Sequence, residues 1–193
     1  ASAREDLRIV LTAMHGVGAE ITSRVLTEAG FTNVSLVAAQ ADPDPDFPTV
    51  PFPNPEEAGA LDMAIEQARE QGADLIIAVD PDADRCALAV PDPGAEAGWS
   101  PLSGDQIGCL LGEFLAARGL EGSLANSIVS SRLLARIAEA HGLVHHTTLT
   151  GFKWIARAPK LAFGYEEAIG FCPNPQIARD KDGIASSVVA ASL

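Results

Sequence analysis

The stretch Asp74-Leu75-Ile76-Ile77-Ala78-Val79-Asp80-Pro81-Asp82-Ala83-Asp84-Arg85 joins an apolar run to an acidic loop. The apolar run is short and continuous, which predicts a buried strand. Three carboxylates follow it at i, i+2 and i+4, just past the carboxyl end of that strand. Because open α/β sheets bind ligands at this edge, the stretch favours an α/β fold with a functional site in the acidic loop.

The three aspartates, Asp80, Asp82 and Asp84, repel one another unless a cation lies among them. An all-oxygen ligand set favours Mg²⁺ or Ca²⁺ over Zn²⁺. Arg85 offers a planar fork of donors to a phosphate or carboxylate near the metal. We therefore predict a metal-assisted phosphoryl-transfer site. Two alternatives stay open here: a solvated Asp-Pro turn, and a phosphatase that uses an aspartyl nucleophile.

The bulk composition limits the partners of the chain. Its 193 residues are 47% hydrophobic and 20% charged, enough for one large or two small domains. A net charge of −13 argues against nucleic acid and anionic membrane surfaces as partners. The three cysteines, Cys86, Cys109 and Cys172, show neither zinc spacing nor a disulfide framework. With no signal peptide visible, we expect a reducing, cytoplasmic environment.

The order of predicted elements indicates two successive α/β units. Predicted strands cover residues 7–13, 33–38, 74–79, 86–90, 125–130, 143–149 and 161–165. A first predicted helix follows the turn at residues 14–18 and runs to about residue 29. Further predicted helices cover residues 56–71, 103–118 and 131–141, and a helical turn covers 151–157. A last helix begins at 182–183 and still continues at Leu193. Ser103 is the predicted N-cap of its helix. We expect two small three-layer α/β domains of similar topology, at residues 1–101 and 102–193, with mixed, mainly parallel sheets.

A long irregular loop precedes the second predicted helix. Residues 42–55 contain six of the 13 prolines, which predicts extended, irregular backbone. Loops of this length inside a compact domain tend to be functional or disordered.

Two further segments carry candidate site residues. Glu166 and Glu167 follow a predicted strand and could bind sugar hydroxyls or act as acid and base, or could form an exposed turn. Arg179 and Lys181 precede a predicted helix start, where Lys181 could hold a phosphate or both could be surface ions beside an N-cap. Lys153 in Thr150-Gly151-Phe152-Lys153-Trp154 is ambiguous in the same way.

Together these segments resemble the α-D-phosphohexomutase superfamily, which includes phosphoglucomutases and phosphomannomutases. The resemblance covers nearly the whole chain, in order. Ala13-Met14-His15-Gly16-Val17 is similar to the loop that opens the second domain of that family, and residues 80–85 resemble its magnesium loop. Thr150-Gly151-Phe152-Lys153 and Glu166-Glu167 resemble its two sugar-recognition loops, and residues 179–183 resemble the segment whose lysine meets the substrate. Gly164-Tyr165-Glu166-Glu167-Ala168-Ile169-Gly170 is most similar to the branch that contains phosphopentomutase.

The resemblance implies a role for each candidate residue. Mg²⁺ would be bound by Asp80, Asp82 and Asp84, with Arg85 and Lys181 as catalytic residues. Substrate would be bound by Thr150, Gly151, Lys153, Glu166, Glu167 and Arg179. The implied reaction moves a phosphoryl group between the C1 and C6 (or C5) hydroxyls of a glucose, mannose or pentose phosphate. It proceeds through a phosphoserine and a bisphosphate intermediate.

Two departures from the family pattern change what we expect. Ala168 stands where the family often has a serine in the sugar loop, which puts a hexose preference in doubt. Neither the phosphoserine loop of the first family domain nor the phosphate-binding loop of the fourth occurs in this sequence. We therefore interpret the chain as domains two and three of four and expect it to be inactive alone. A non-catalytic module that binds metal or sugar phosphate, and the aspartyl phosphatase, remain alternatives.

Overall fold

The computed structural model describes residues 3–193 and contains two mixed β-sheets with helices packed against them. The strands are β1 (Ile9–Thr12), β2 (Val34–Leu36), β3 (Leu75–Val79), β4 (Cys86–Pro91), β5 (Trp99–Pro101), β6 (Ser123–Ser127), β7 (Val144–Thr148), β8 (Leu161–Glu166) and β9 (Gly170–Cys172). The helices are α1 (Ala3–Asp6), α2 (Ala19–Glu28), α3 (Asp62–Gln71), α4 (Gly104–Ala117), α5 (Leu133–Ala140), α6 (Phe152–Ile155) and α7 (Gly183–Ala191). Among these helices, none combines the length and apolarity needed to cross a membrane.

The first sheet has the strand order β2-β1-β3-β4-β5. β1 pairs in parallel with β2 and β3, whereas β4 is antiparallel to β3 and β5 is antiparallel to β4. Every residue of β1 and β3 is buried, as their continuous apolar sequences predict. The acidic loop therefore follows the central strand, β3, and not an edge strand of the sheet.

The second sheet has the order β7-β6-β8-β9 and repeats the arrangement of the first four strands of the first sheet. β6 pairs in parallel with β7 and β8, and β9 returns antiparallel to β8. The predicted pair of α/β units with similar topology and mixed sheets is confirmed.

The two sheets meet edge to edge at the acidic loop. Arg85 forms a bridge with Gly170 of β9, and the Cys86 amide donates to the Ile169 carbonyl at 3.1 Å. Helix α7 follows β9 in sequence but packs against β3, β4 and α2 of the first sheet. The predicted division of the chain at residues 101/102 remains a prediction, because α7 contacts both halves.

Several element boundaries differ from the sequence predictions. β5 and β9 were not predicted, because three-residue strands are too short to show a period and form only by pairing with β4 and β8. β6 begins and ends earlier than predicted, since its bounds follow its pairing with β7 and β8.

Two helix ends also differ. α3 begins at Asp62 rather than near residue 56, because the preceding residues form turns that include Gly59 at a φ of +81°. The prediction that the last helix continues at Leu193 is wrong: α7 ends at Ala191, with Ser192 as its C-cap.

Helix α4 begins with the predicted cap. The Ser103 Oγ accepts the Gln106 amide at 3.2 Å, and the Gln106 Oε1 accepts the Ser103 amide at 2.8 Å, which completes a capping box. Replacing Ser103 with Ala should lower the free energy of unfolding by about 1 kcal/mol, measured by urea denaturation. Ser103→Asp retains a side-chain acceptor and should lose clearly less. Equal losses in the two variants would show that the cap contributes nothing.

Candidate functional site

The acidic loop, residues 80–85, connects β3 to β4 within an antiparallel pair that closes at Val79 and Cys86. Its Ala83 adopts a left-handed φ of 60°, and the Ala83 amide donates to the Asp80 carbonyl at 2.9 Å. This tight turn brings one oxygen each of Asp80, Asp82 and Asp84 within 4.8 Å of one another. Among residues 3–193, this is the one cluster of three or more His, Cys, Asp or Glu side chains with such spacing. The donors are all carboxylates, which suits a hard divalent cation.

Asp80 is buried and held by Arg85. Its Oδ1 accepts the Arg85 amide at 2.9 Å, and its Oδ2 accepts the Arg85 Nε at 2.7 Å. Burial raises the pKa of Asp80, while the hydrogen bonds and charge of Arg85 act against that rise. Arg85, predicted from sequence to offer donors to a phosphate or a carboxylate, thus fixes the buried carboxylate of the cluster.

Two neighbouring turns hold the acidic loop from outside. The Val17 amide donates to the Pro81 carbonyl at 2.9 Å, and the Gly183 amide at the start of α7 donates to the Ala83 carbonyl at 3.1 Å. A Cβ at Gly16 would collide with the backbone of Pro81, and one at Gly183 would lie 2.7 Å from the Ala83 carbonyl oxygen. Glycine is needed at both positions because the acidic loop passes so closely.

The proline-rich loop, residues 42–55, and the residue that follows it contribute side chains that the sequence did not single out. Asn54 accepts the Arg85 Nη1 through its Oδ1 at 3.3 Å, and Glu56 lies near Arg85 and Glu167. Burial raises the pKa of Glu56, and the charge of Arg85 opposes the rise. The length and proline content of the loop were the available signal, but they could not indicate which side chains face the site.

Lys181 links the second sheet to the acidic loop. Its Nζ lies 2.8 Å from the Asp84 Oδ2 and 5.6 Å from the centroid of the Phe152 ring. A Cβ at Gly170 would collide with the Lys181 side chain, so the lysine stem lies against β9. Burial would lower the pKa of Lys181, but the hydrogen bond and charge of Asp84, with Asp180 and Glu166, raise it.

The two predicted sugar loops lie together. The Gly151 amide donates to the Glu166 Oε1 at 3.0 Å, which joins the turn before α6 to the end of β8. Thr150 is exposed beside Gly151, and the Lys153 Nζ lies 5.9 Å from the Trp154 ring centroid. Because Glu166 and the Lys181 side chain both lie next to Gly170, and Lys181 contacts Asp84, the sugar loops lie close to the acidic loop.

Glu167 and Arg179 are placed differently from Glu166 and Lys181, the residues with which the sequence grouped them. The Glu167 Oε2 accepts the hydroxyls of Ser127 and Ser130 at 2.7 and 2.6 Å, so it contacts the loop between β6 and α5. Burial would raise the pKa of Glu167, but these two hydrogen bonds outweigh burial and lower it. Arg179 is exposed in the segment between β9 and α7. No spacing in the sequence relates the two serines to Glu167.

Comparison with known proteins gives a family for both halves of the chain. Residues 1–94 match Phosphoglucomutase/phosphomannomutase, alpha/beta/alpha domain II, and residues 103–193 match alpha/beta/alpha domain III. The chain belongs to the phosphoglucomutase/phosphomannomutase family. The resemblance inferred from the sequence motifs is therefore confirmed.

Individual members of the family cover almost all of this chain. A probable phosphomannomutase of Haemophilus influenzae is 51% identical over 190 residues, which are 97% of this chain and 39% of that protein. A phosphoribomutase of Saccharomyces cerevisiae is 40% identical, over 93% of this chain and 32% of that protein. A crystal structure of a putative phosphomannomutase from Thermus thermophilus superposes with a TM-score of 0.81 at 25% identity, over 96% of this chain and 41% of that one. The chain spans about two-fifths or less of the length of these relatives.

The close contact at Gly183 makes a testable demand on the acidic loop. Gly183→Ala should lower the free energy of unfolding by about 1–3 kcal/mol, because the atoms in the way are backbone carbonyls that cannot rotate aside. Urea denaturation measures the loss. Gly94→Ala is the matched control, since Gly94 is exposed and its Cβ would meet only the Asp92 carboxylate, at 3.3 Å. A loss no larger than in the control would contradict the described packing.

The serine contacts of Glu167 predict a pH effect. Because its folded pKa is lowered, Glu167 contributes stability above its ordinary pKa and loses it as the pH falls through the lowered value. Removing both hydroxyls, in Ser127→Ala/Ser130→Ala, should raise the pKa of Glu167 in a ¹³C NMR titration of the carboxyl group. An unchanged Glu167 titration would rule out the two hydrogen bonds.

Proposed function

We propose that this chain carries the magnesium site and part of the sugar-phosphate site of a phosphohexomutase-type enzyme. The reaction would move a phosphoryl group between the C1 and C6 (or C5) hydroxyls of a hexose or pentose phosphate through a phosphoserine and a bisphosphate. The observation that supports this most directly is the convergence of Asp80, Asp82 and Asp84 in a loop that Lys181 contacts from the second sheet. The phosphoserine and the second phosphate-binding loop would belong to the first and fourth domains of a longer parent chain.

The three aspartates fit Mg²⁺ by their chemistry. They supply oxygen ligands only, and one of them, Asp80, is buried and already oriented by Arg85. When bound, Mg²⁺ would neutralise negative charge on the transferring phosphoryl group. The protein's own part is to hold the three carboxylates in place against their mutual repulsion.

The remaining residues would bind and orient the sugar phosphate. Glu166, whose Oε1 accepts the Gly151 amide, would also accept hydrogen bonds from sugar hydroxyls. Lys181 would hold a phosphate oxygen or a proton at the reacting hydroxyl. Thr150, Lys153 and Arg179 are exposed next to these groups in sequence and would add contacts when substrate is bound.

The identity of the sugar rests on the loop that follows β8. Ala168 lacks the hydroxyl that a serine would offer to a hexose, and Glu167 is engaged by Ser127 and Ser130. The relatives of this chain include both a probable phosphomannomutase and a phosphoribomutase. We therefore propose sugar monophosphates as the substrate class and include a pentose phosphate in every assay.

Three free, buried cysteines within the described residues support the proposed cytoplasmic location.

The geometry of Asp80 disfavours the phosphatase alternative. An aspartyl nucleophile needs an oxygen accessible to an incoming phosphate, but Asp80 is only 3% exposed and both of its oxygens accept hydrogen bonds from Arg85. The same features suit a buried metal ligand held by its neighbour.

Metal binding tests the proposal with the 193-residue chain itself. Titration with Mn²⁺, followed by electron paramagnetic resonance and competed with Mg²⁺, should show one site. Asp82→Asn should weaken it by at least ~10-fold, because even substitutions outside the ligand shell cost about that much. Asp46→Asn, which neutralises an exposed aspartate in the proline-rich loop, is the control. Equal affinity in both variants would refute the metal assignment.

The chain alone should not interconvert sugar phosphates. The donor serine is absent from this sequence, and positioning of the donor can supply about 7–11 kcal/mol of the barrier reduction. The measurement is a coupled assay with glucose 1-phosphate, mannose 1-phosphate or ribose 1-phosphate, each with the matching bisphosphate and Mg²⁺. Turnover that disappears in Asp82→Asn would refute the proposed need for further domains.

A further inference from the structure

Lys181 is the one lysine side chain of the described residues that is paired with the aspartate cluster. Its Nζ contacts the Asp84 Oδ2 at 2.8 Å, and the Phe152 ring lies 5.6 Å away. Asp84 belongs to the acidic loop, whereas Phe152 follows directly after the Thr150-Gly151 turn of the sugar loops. The ammonium group therefore lies between the proposed metal ligands and the proposed sugar contacts.

The charges around the cluster are already partly balanced by the protein. Arg85 lies 2.7 Å from Asp80, and Lys181 lies 2.8 Å from Asp84. A divalent cation bound by the three aspartates would place two further positive charges beside the Lys181 ammonium. Because Lys181 and Asp84 are only 21% and 34% exposed, solvent screens the resulting repulsion incompletely.

The two protein cations differ in how firmly they are held. Arg85 adjoins the aspartates in sequence, bonds both oxygens of Asp80 and contacts Asn54, so it cannot leave without opening the loop. Lys181 makes its contact through a flexible four-carbon stem. The Phe152 ring and the negative charge of Glu166 offer its ammonium another favourable environment nearby.

We propose that Lys181 and a divalent cation compete for Asp84, so that Lys181 moves toward Phe152 and Glu166 when the cation binds. This inference rests on the proposed metal site. Lys181 is then a positioning residue for the acidic loop without metal and faces the sugar phosphate once metal is bound. Binding of the metal and the position of Lys181 are thereby linked through the Asp84 carboxylate.

A different arrangement of the same groups makes the opposite prediction. If the Asp84 Oδ1 bound the metal while Oδ2 kept Lys181, the lysine would orient Asp84 and support metal binding. Removing the lysine charge would then weaken the affinity for metal. Competition predicts that removing the charge strengthens it, so the sign of the change decides between the two.

The experiment measures Mn²⁺ affinity of the 193-residue chain by electron paramagnetic resonance. Lys181→Met should bind Mn²⁺ roughly two- to fivefold more tightly, the size expected for losing a partly exposed charge contact. Lys181→Arg should stay near wild type. Lys160→Met removes the same charge from an exposed position in the turn before β8 and should leave the affinity unchanged.

A second measurement observes the lysine directly. In ¹H–¹⁵N spectra selective for lysine ammonium groups, the Lys181 signal is the one missing from Lys181→Met. Adding Mg²⁺ should shift or broaden that signal in the wild-type chain but not in Asp82→Asn. If Lys181→Met does not fold, the Lys181 signal is identified as the one missing from Lys181→Arg. The response of that wild-type signal to Mg²⁺ then tests the competition without the affinity data.

The possible outcomes separate this inference from the proposed function. Wild-type Mn²⁺ binding that is lost in Asp82→Asn, but is weaker or unchanged in Lys181→Met, overturns the competition and leaves the metal site intact. An unshifted Lys181 signal at saturating Mg²⁺ overturns it as well. If the wild type binds no Mn²⁺, or Asp82→Asn binds it equally well, the metal site itself fails.

Discussion

Repulsion among the three carboxylates of one six-residue loop is the constraint on which the rest of this structure depends. Asp80, Asp82 and Asp84 are held within 4.8 Å of one another, and one of them is buried. Without compensation, such a cluster would push its pKa values upward or open the loop. Arg85 and Lys181 compensate for part of the charge, and the turn at Gly16 and the start of α7 at Gly183 prevent the loop from opening.

The joint between the two sheets follows from the same requirement. Gly170 of β9 pairs with Arg85 at the end of the acidic loop. Helix α7, which follows β9, packs against the first sheet. Lys181 lies in the segment between β9 and α7. The segment that connects the two sheets therefore also brings the Lys181 ammonium to Asp84. Arg85 and Lys181, one from each half of the chain, therefore offset part of the charge of the three aspartates. The proposed metal ligands and the proposed sugar contacts thus lie on different sheets.

Local sequence signals predicted the elements well where one residue type or one pattern decides the conformation. Ser103 caps α4 because its hydroxyl and Gln106 satisfy each other's backbone amides, a purely local exchange. The buried runs in β1 and β3 were evident from continuous apolar sequence. The errors fell on β5, β6 and β9, whose bounds are set by the partner strand and not by any period of their own. The start of α3 was misplaced for a similar reason, since Ala60 in the turns before it packs with Val50 of the proline-rich loop.

The sequence by itself determined the fold class, the family motifs and the identity of the three clustered aspartates. The three aspartates are close in sequence, so their i, i+2 and i+4 spacing in one loop already places them near one another, although Arg85, Lys181 and the flanking backbone hold them there. Only the tertiary structure decided how each charge is used. Arg85 bonds Asp80, Glu167 bonds Ser127 and Ser130, and Lys181 pairs with Asp84, which lies 97 positions earlier in the sequence. Long-range pairs depend on which backbone segments meet when the two sheets join, and no spacing along the chain encodes that meeting.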